Sequence, residues 1–311
     1  MNMADANVMN QFKLEGKVAL VMGGSKGLGK SMALGFAQAG ATTVISARTE
    51  ADCEATALEI SNETGQESIA LAGDVTKEAD VDRIFNAVNE KYGHLDVVVN
   101  SAGINVRHLI EDFPLDEFQK VMDINMTGVW LCCRAAARIM KAQGEGGAVV
   151  YTTSIAALIG AFGHPNYTTA KGGLFGFLRG TAPELRRYNI RANAIVPHAY
   201  SRMTAISEWM KNKQDVYTTD VIGQTVVFLA SDLARDLSGR MIGAIGGKSG
   251  ARVCELKLTL SDGHLMPADK VSAEDIGNNL NQGLCKCDIE SFADPRLERL
   301  KIFKDKFIKG G

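Results

Sequence analysis

Lys17-Val-Ala-Leu-Val-Met22, Gly23-Gly24-Ser25-Lys26-Gly27-Leu28-Gly29 and Lys30-Ser-Met-Ala-Leu-Gly-Phe-Ala-Gln-Ala-Gly40 run consecutively near the start of the chain. An apolar run of strand length enters a glycine-rich turn, and the turn opens an amphipathic helix. Glycines there permit a tight bend, close approach of the backbone to a pyrophosphate and close packing of helix on strand. The free N–H groups at the helix start then bind the anion. A glycine-rich segment alone is weak evidence; the strand before it and the helix after it supply the context that the reading requires.

The same alternation continues along the chain. Strand patterns are expected at Val18–Met22, Thr42–Ser46, Ser68–Ala72, Leu95–Asn100, Ala148–Thr153, Arg191–Val196 and Met241–Ile245. Helical patterns fill the gaps, around Gly29–Ala39, Ala51–Ser61, Glu78–Lys91, Leu115–Asp123, Gly128–Gln143, Asn166–Arg187 and Asp220–Ser231. Strands separated by helices of this length imply parallel pairing and a doubly wound α/β sheet flanked by helices. The chain of 311 residues carries a formal net charge of −2 and a pI near 6.2, which leaves no basic footprint for nucleic acid. No apolar stretch approaches the ~18 residues of a membrane span. Met1 to Asn10 has neither a basic leader nor an apolar signal core. Six scattered cysteines do not form a disulfide framework, so a cytoplasmic location is expected.

Tyr167 and Lys171 lie four residues apart, on one face of the helix expected over 166–187. A lysine ammonium beside a phenol favours the phenolate and lowers its pKa. Such a tyrosine can exchange a proton with a substrate oxygen, which is general acid–base catalysis. Ser154 follows the run Gly147-Ala-Val-Val-Tyr-Thr-Thr153, at the carboxyl end of a strand, where open α/β sheets build their sites. The bland alternative, an exposed i,i+4 pair, is the commoner meaning of Tyr-x-x-x-Lys alone.

Together these residues resemble the short-chain dehydrogenases/reductases. The family's glycine fingerprint is matched by Met22-Gly23-Gly24-Ser25-Lys26-Gly27-Leu28-Gly29, its Asn-Asn-Ala-Gly motif by Asn100-Ser101-Ala102-Gly103, its helix asparagine by Asn125, and its catalytic set by Ser154, Tyr167 and Lys171. The resemblance covers about Leu14 to Gly247 and implies a Rossmann-type domain over 14–248, between an N-terminal arm (1–13) and a C-terminal extension (249–311). Met22, Ser101 and His198 depart from the family pattern. Met22 replaces a threonine whose hydroxyl ties the first strand to the fourth, which puts local rigidity in doubt. The resemblance implies a carbonyl/secondary-alcohol oxidoreductase in which Tyr167 transfers the proton, Ser154 hydrogen-bonds the reacting oxygen and Lys171 lowers the tyrosine pKa and holds a ribose. Asn125 would anchor a proton-relaying water, with a helix cap as its alternative role.

The implied cofactor site comprises Gly23, Ser25, Lys26, Gly27, Leu28, Gly29, Arg48, Asp74, Val75, Asn100, Ala102, Gly103, Tyr167, Lys171, Pro197 and Ser201. After the second strand, an acid selects NAD and a nearby Arg accommodates the 2′-phosphate of NADP. Here Ala47 fills the acidic position and Arg48 follows, with Lys26 close by in the glycine turn, so NADP(H) is preferred over NAD. Asn100–Arg107 and Phe118–Asn125 look like members acting on sugar acids and polyols. Pro197-His-Ala-Tyr-Ser-Arg-Met-Thr204 resembles 3-hydroxyacyl-CoA dehydrogenases of multifunctional enzymes. A 3-oxoacyl/3-hydroxyacyl thioester or bulky apolar ketone is the preferred small-molecule substrate, and a sugar acid or polyol the alternative.

Ala205–Thr218 is expected to form a short lid. In the extension, Cys254–Leu260 alternates like a strand before a Ser261-Asp262-Gly263 turn, and Ser272–Asp275 has capping-box character. Cys285-x-Cys287 with Cys254 and His264 lacks the usual zinc spacing, so no metal is expected. The extension would cover the site or a partner subunit. Small and apolar residues on the helices around Gly128–Gln143 and Asn166–Arg187 suggest a homo-oligomer, a dimer or tetramer. A catalytically idle subunit or a cofactor-sensing protein are the non-enzyme alternatives, and the intact Ser154, Tyr167 and Lys171 argue against both.

Overall fold

The computed structural model describes residues 12–205, 212–214, 216–247 and 250–256. The chain divides into two compact units, Met1–Leu256 and Lys257–Gly311, and every described residue belongs to the first. Its strands are β1 (Val18–Met22), β2 (Thr42–Ser46), β3 (Ser68–Ala70), β4 (Val97–Asn100), β5 (Gly147–Thr152), β6 (Ile190–His198), β7 (Met241–Gly247) and β8 (Gly250–Leu256). The helices are α1 (Gly27–Gln38), α2 (Glu50–Thr64), α3 (Glu78–Tyr92), α4 (Leu115–Met122), α5 (Gly128–Gln143), α6 (Ala156–Ile159), α7 (Pro165–Arg186), α8 (Arg202–Ala205) and α9 (Asp220–Ala230). No helix among the described residues is long and apolar enough to cross a membrane.

The sheet runs β3-β2-β1-β4-β5-β6-β7-β8. All pairings are parallel except β7–β8. The doubly wound α/β expectation is therefore met. Both faces of β1 are buried, which is why it reads as a continuous apolar run. Val18, Leu20 and Met22 point into a core with Phe85 of α3, Leu131 of α5 and Leu174 of α7. Ala19 and Val21 point to the other core, with Met32 and Phe36 of α1, Ile60 of α2 and Val226 of α9. Each face thus receives alternate side chains of the same strands.

Several details differ from the expectations. The helix expected through Asp123 ends at Met122 and passes through a π-helical turn, Asp123–Thr127, before α5. Pairing with β7 places the strand of the C-terminal segment at Gly250–Leu256, four residues earlier than its alternation suggested. The concern over Met22 is answered by the backbone: the Ser101 N–H donates to the Met22 carbonyl at 2.8 Å, continuing a β1–β4 ladder that aligns Met22 with Asn100. Residues 206–211 and 215 of the expected lid, and the features expected from residue 257 onward, including His264, Ser272–Asp275, Cys285 and Cys287, lie outside the described residues.

The turn that joins β1 to α1 is set by close approach. A Cβ on Gly29 would fall 2.0 Å from the Gly23 carbonyl oxygen, whereas one on Gly27 would meet nothing within 4 Å. Gly29→Ala is expected to cost roughly 3 kcal/mol in urea unfolding, as overpacking against backbone does. Gly27→Ala, limited to the strain of its φ of +56°, should cost about 1 kcal/mol. The reverse order would show that the turn is not held by that contact.

Candidate active site

The glycine turn is pinned from two sides. The N–H groups of Gly23 and Gly24 both donate to the Ser46 carbonyl at the end of β2, at 2.7 and 3.0 Å. The Thr56 hydroxyl of α2 donates to the Ser25 carbonyl at 2.8 Å. Gly23 also lies against the segment after β4, where a Cβ would come within 2.4 Å of the Ala102 nitrogen. Beside this contact opens a cleft of about 280 Å³. Of the residues expected to hold a cofactor, Gly23, Ser25, Lys26, Gly27, Leu28, Gly29, Arg48, Asp74, Val75, Ala102, Gly103 and Ser201 line it. Ala47, Gly73, Ser101, Ile104 and Ile124 complete the wall. Gly73, Ile104 and Ile124 were not singled out from sequence, because apolar or glycine positions after a strand carry no chemical signature.

Asn100, Tyr167, Lys171 and Pro197 are not on that wall. Asn100 is buried, with neither amide atom paired among the described residues, and Pro197 lies in β6 opposite Ala244 of β7. The cleft fits a dinucleotide. No side chain caps the start of α1, so its first N–H groups remain for a phosphate, and the open space at Gly27 leaves room for one. Asp74 keeps its loop in place by accepting from the Thr76 N–H and hydroxyl through Oδ1, at 3.0 and 2.8 Å.

Beyond Gly103 stand the three groups expected to perform proton transfer. Lys171 falls on the inward stripe of α7, in step with Leu174 and Leu178, and is buried by that placement. Its Nζ donates to the Thr152 carbonyl of β5 at 2.7 Å. The Thr153 hydroxyl returns a bond to the Lys171 carbonyl at 2.9 Å. Burial pushes the Lys171 pKa down to about 8. The Nζ lies 5.8 Å from the centre of the Tyr167 ring. Burial raises the Tyr167 pKa, and a hydrogen bond with Ser154 opposes the rise. The expected net lowering of the phenol by Lys171 is thus corrected: burial of Tyr167 raises its pKa, while the Lys171 Nζ is bonded to the Thr152 carbonyl. A Cβ on Gly103 would lie 3.7 Å from the Lys171 Nζ and 3.2 Å from the Asn125 Oδ1, so the loop after β4 joins cleft and proton-transfer groups.

Asn125 is buried within the π-helical turn, so the helix-cap alternative does not describe it. Its Oδ1 accepts from the Ile104 N–H and its Nδ2 donates to the Ile104 carbonyl, both at 2.8 Å. This two-way clasp holds the Gly103–Ile104 loop. A π turn displaces one backbone bond from its usual partner: here the Gly128 N–H donates to the Asp123 carbonyl.

A phosphate cradle at the point where strand order reverses defines a dinucleotide-binding α/β protein. A family model described as short chain dehydrogenase matches residues 17–214, and the chain belongs to that family of NAD(P)-linked oxidoreductases. It is 36% identical over 185 residues to a 3-oxoacyl-[acyl-carrier-protein] reductase of Synechocystis sp., covering 59% of this chain and 74% of the relative. It is 33% identical over 249 residues to an L-rhamnose 1-dehydrogenase (NAD(P)(+)) of Sphingomonas sp., covering 75% and 96% respectively. Among solved structures, a gluconate 5-dehydrogenase from Burkholderia cenocepacia in complex with NADP and tartrate superposes with a TM-score of 0.71 at 26% identity, covering 76% of this chain and 96% of that one.

The buried lysine has a measurable signature. A fall from 10.5 to about 8 corresponds to roughly 3 kcal/mol against the charged form. Between those values the folded protein binds fewer protons at this site than the unfolded chain, so stability rises with pH across the window. Lys171→Met removes this dependence together with the bond to Thr152. At pH 7 the cofactor-free variant should be at least as stable as wild type. It should lose ground to wild type by roughly 3 kcal/mol between about pH 8 and 10.5. A stability difference that stays flat in urea titrations across that range would mean that Lys171 is not desolvated.

Proposed function

We propose that the chain interconverts a carbonyl and a secondary alcohol with NADP(H), Tyr167 transferring the proton. The convergence of Ser154, Tyr167 and the buried Lys171 beside the cleft carries this reading. The nicotinamide, when bound, supplies or accepts the hydride. In reduction the Tyr167 hydroxyl donates to the carbonyl oxygen, and in oxidation its phenolate takes the alcohol proton. Ser154 donates a hydrogen bond to the same oxygen as charge develops there. Lys171, in its protonated form, stabilises the phenolate and donates to a ribose hydroxyl. Asn125 positions the Gly103–Ile104 loop; with each amide atom already bonded to Ile104, its backbone carbonyl is the group to hold a relaying water.

NADP(H) is supported by Arg48, which lines the cleft where an acid would serve NAD, and by the NADP named with the similar gluconate 5-dehydrogenase. An apolar substrate, a 3-oxoacyl thioester or bulky ketone, is supported by exposed apolar side chains, Leu109 and Ile110 on one segment and Ile159 and Phe162 on another. The two segments are joined by the His108 N–H donating to the Gly163 carbonyl at 3.0 Å. A sugar-acid substrate has its own support. Arg107 lies against Gly163, where a Cβ would be 3.1 Å from its Nε, and its charge adds to burial in lowering the His164 pKa. We also propose that α5 and α7 pair two copies of the chain, since Trp130 of α5 is exposed on a helix rich in small and apolar residues.

The test is NADPH oxidation with acetoacetyl-CoA, a bulky cyclic ketone and a keto sugar acid. Tyr167→Phe keeps the ring and should lower turnover by about 10²–10⁴-fold with cofactor affinity nearly unchanged; near-normal turnover would sink the proton-transfer role. Arg107→Ala should leave the cyclic ketone unaffected. A selective loss with the keto sugar acid as the best wild-type substrate would decide for the second reading.

A further inference from the structure

We infer that Asp52 tunes the choice between NADP(H) and NAD(H) by holding the side chain of Lys26 away from the cofactor phosphate. This rests on the NADP(H) reading above. Three residues of α2 at helical spacing, Asp52, Thr56 and Glu59, face the glycine turn and the start of α1. Asp52 Oδ2 pairs with the Lys26 Nζ, the Thr56 hydroxyl donates to the Ser25 carbonyl at 2.8 Å, and Glu59 accepts from the Lys30 Nζ at 2.6 Å. Thr56 fixes the backbone of the turn, so the lysine side chain can exchange partners without moving the cradle.

Lys26 stands on the ridge between two hollows. It lines the cofactor cleft together with Arg48, and it also lines an outer hollow of about 510 Å³ whose wall includes Asp52 and Thr56. Both members of the Lys26–Asp52 pair are part-exposed. Arg48 has no hydrogen bond or ion pair among the described residues. The two cations near the end of β2 are therefore unequal: Arg48 is free for a 2′-phosphate, while Lys26 must first leave a carboxylate. A ribose 2′-hydroxyl offers no charge to draw Lys26 away, so NAD(H) leaves the pair intact. Asp52 thereby weakens NADP(H) binding selectively and narrows the gap between the two cofactors, by the differential logic that governs specificity.

Calorimetric titration of NADP⁺, NAD⁺ and 2′,5′-ADP into the wild type, Asp52→Asn, Lys26→Ala and the double variant tests this without turnover. An exposed ion pair is weak, so Asp52→Asn should bind NADP⁺ and 2′,5′-ADP about two- to fivefold more tightly, with NAD⁺ changed less than about twofold. The gain should vanish in the Lys26→Ala background. Asp52→Ala serves as a second variant should the asparagine form alternative hydrogen bonds or fail to fold. Unchanged NADP⁺ affinity, an equal gain for NAD⁺, or a gain that survives Lys26→Ala would each overturn the inference while leaving the cofactor reading standing. A wild type that binds NAD⁺ but neither NADP⁺ nor 2′,5′-ADP would instead defeat the cofactor reading, and the inference with it.

Discussion

The reversal of strand order between β1 and β4 is the constraint from which the site follows. From β1 the chain winds outward through β2 to β3; from β4 it winds the other way through β5, β6 and β7. Right-handed crossovers in opposite directions place the connecting helices on opposite faces and leave a crevice at the carboxyl ends of the two central strands. The glycine turn enters that crevice from β1 and the Ser101–Gly103 segment from β4. They approach so closely that a side chain at Gly23 would strike the Ala102 backbone. The bond between the Ser101 N–H and the Met22 carbonyl, 2.8 Å long, holds the two sides at the spacing that a cofactor must fit.

Lys171 is the point at which the fold carries the cost of a buried charge. Its ammonium is desolvated, and the Thr152 carbonyl is its hydrogen-bond acceptor from the protein. The rest of α7 offsets the cost, because Leu174, Leu178 and Leu185 are buried on the same side of the helix, each worth about 1.5–3 kcal/mol on full burial. The apolar stripe both drags the lysine inward and compensates for having done so. Asn125 shows a similar economy: one buried amide satisfies both backbone groups of Ile104 and so places the loop between the cleft and Lys171.

Most of the secondary structure was legible from periodicity, because a parallel sheet covered on both faces demands continuous apolar strands and helices with one apolar stripe. Val18–Met22 and Thr42–Ser46 coincide with their expected bounds, while β6 extends through Pro197 and His198 because β7 continues alongside it. The π-helical turn at Asp123–Thr127 left no mark in the pattern, since it falls at the junction of two helices expected separately, where no continuous apolar phase runs through to register the extra residue. The start of β8 was misjudged because alternation gives the face of a strand but not its partner. In the site, the glycine turn, Arg48 and the Ser154, Tyr167 and Lys171 set were legible as chemistry at characteristic spacing. The ion pair that engages Lys26 was not, because its two members are 26 positions apart and meet only when α2 packs beside the turn.

Sequence alone determined the order of strands and helices, the glycine turn and the candidate proton-transfer groups, since each is written in local spacing within one or two elements. Tertiary structure decided the environment of those groups. Packing of α7 on the sheet, not its order of residues, desolvated Lys171 and turned it toward Thr152, and the burial of Tyr167 raises its pKa. Packing of α2 against the glycine turn likewise decided that Lys26 is held by Asp52, while Arg48 has no ion pair among the described residues. Charge and burial act through space over a few ångströms, and the neighbours that supply them come from distant parts of the chain.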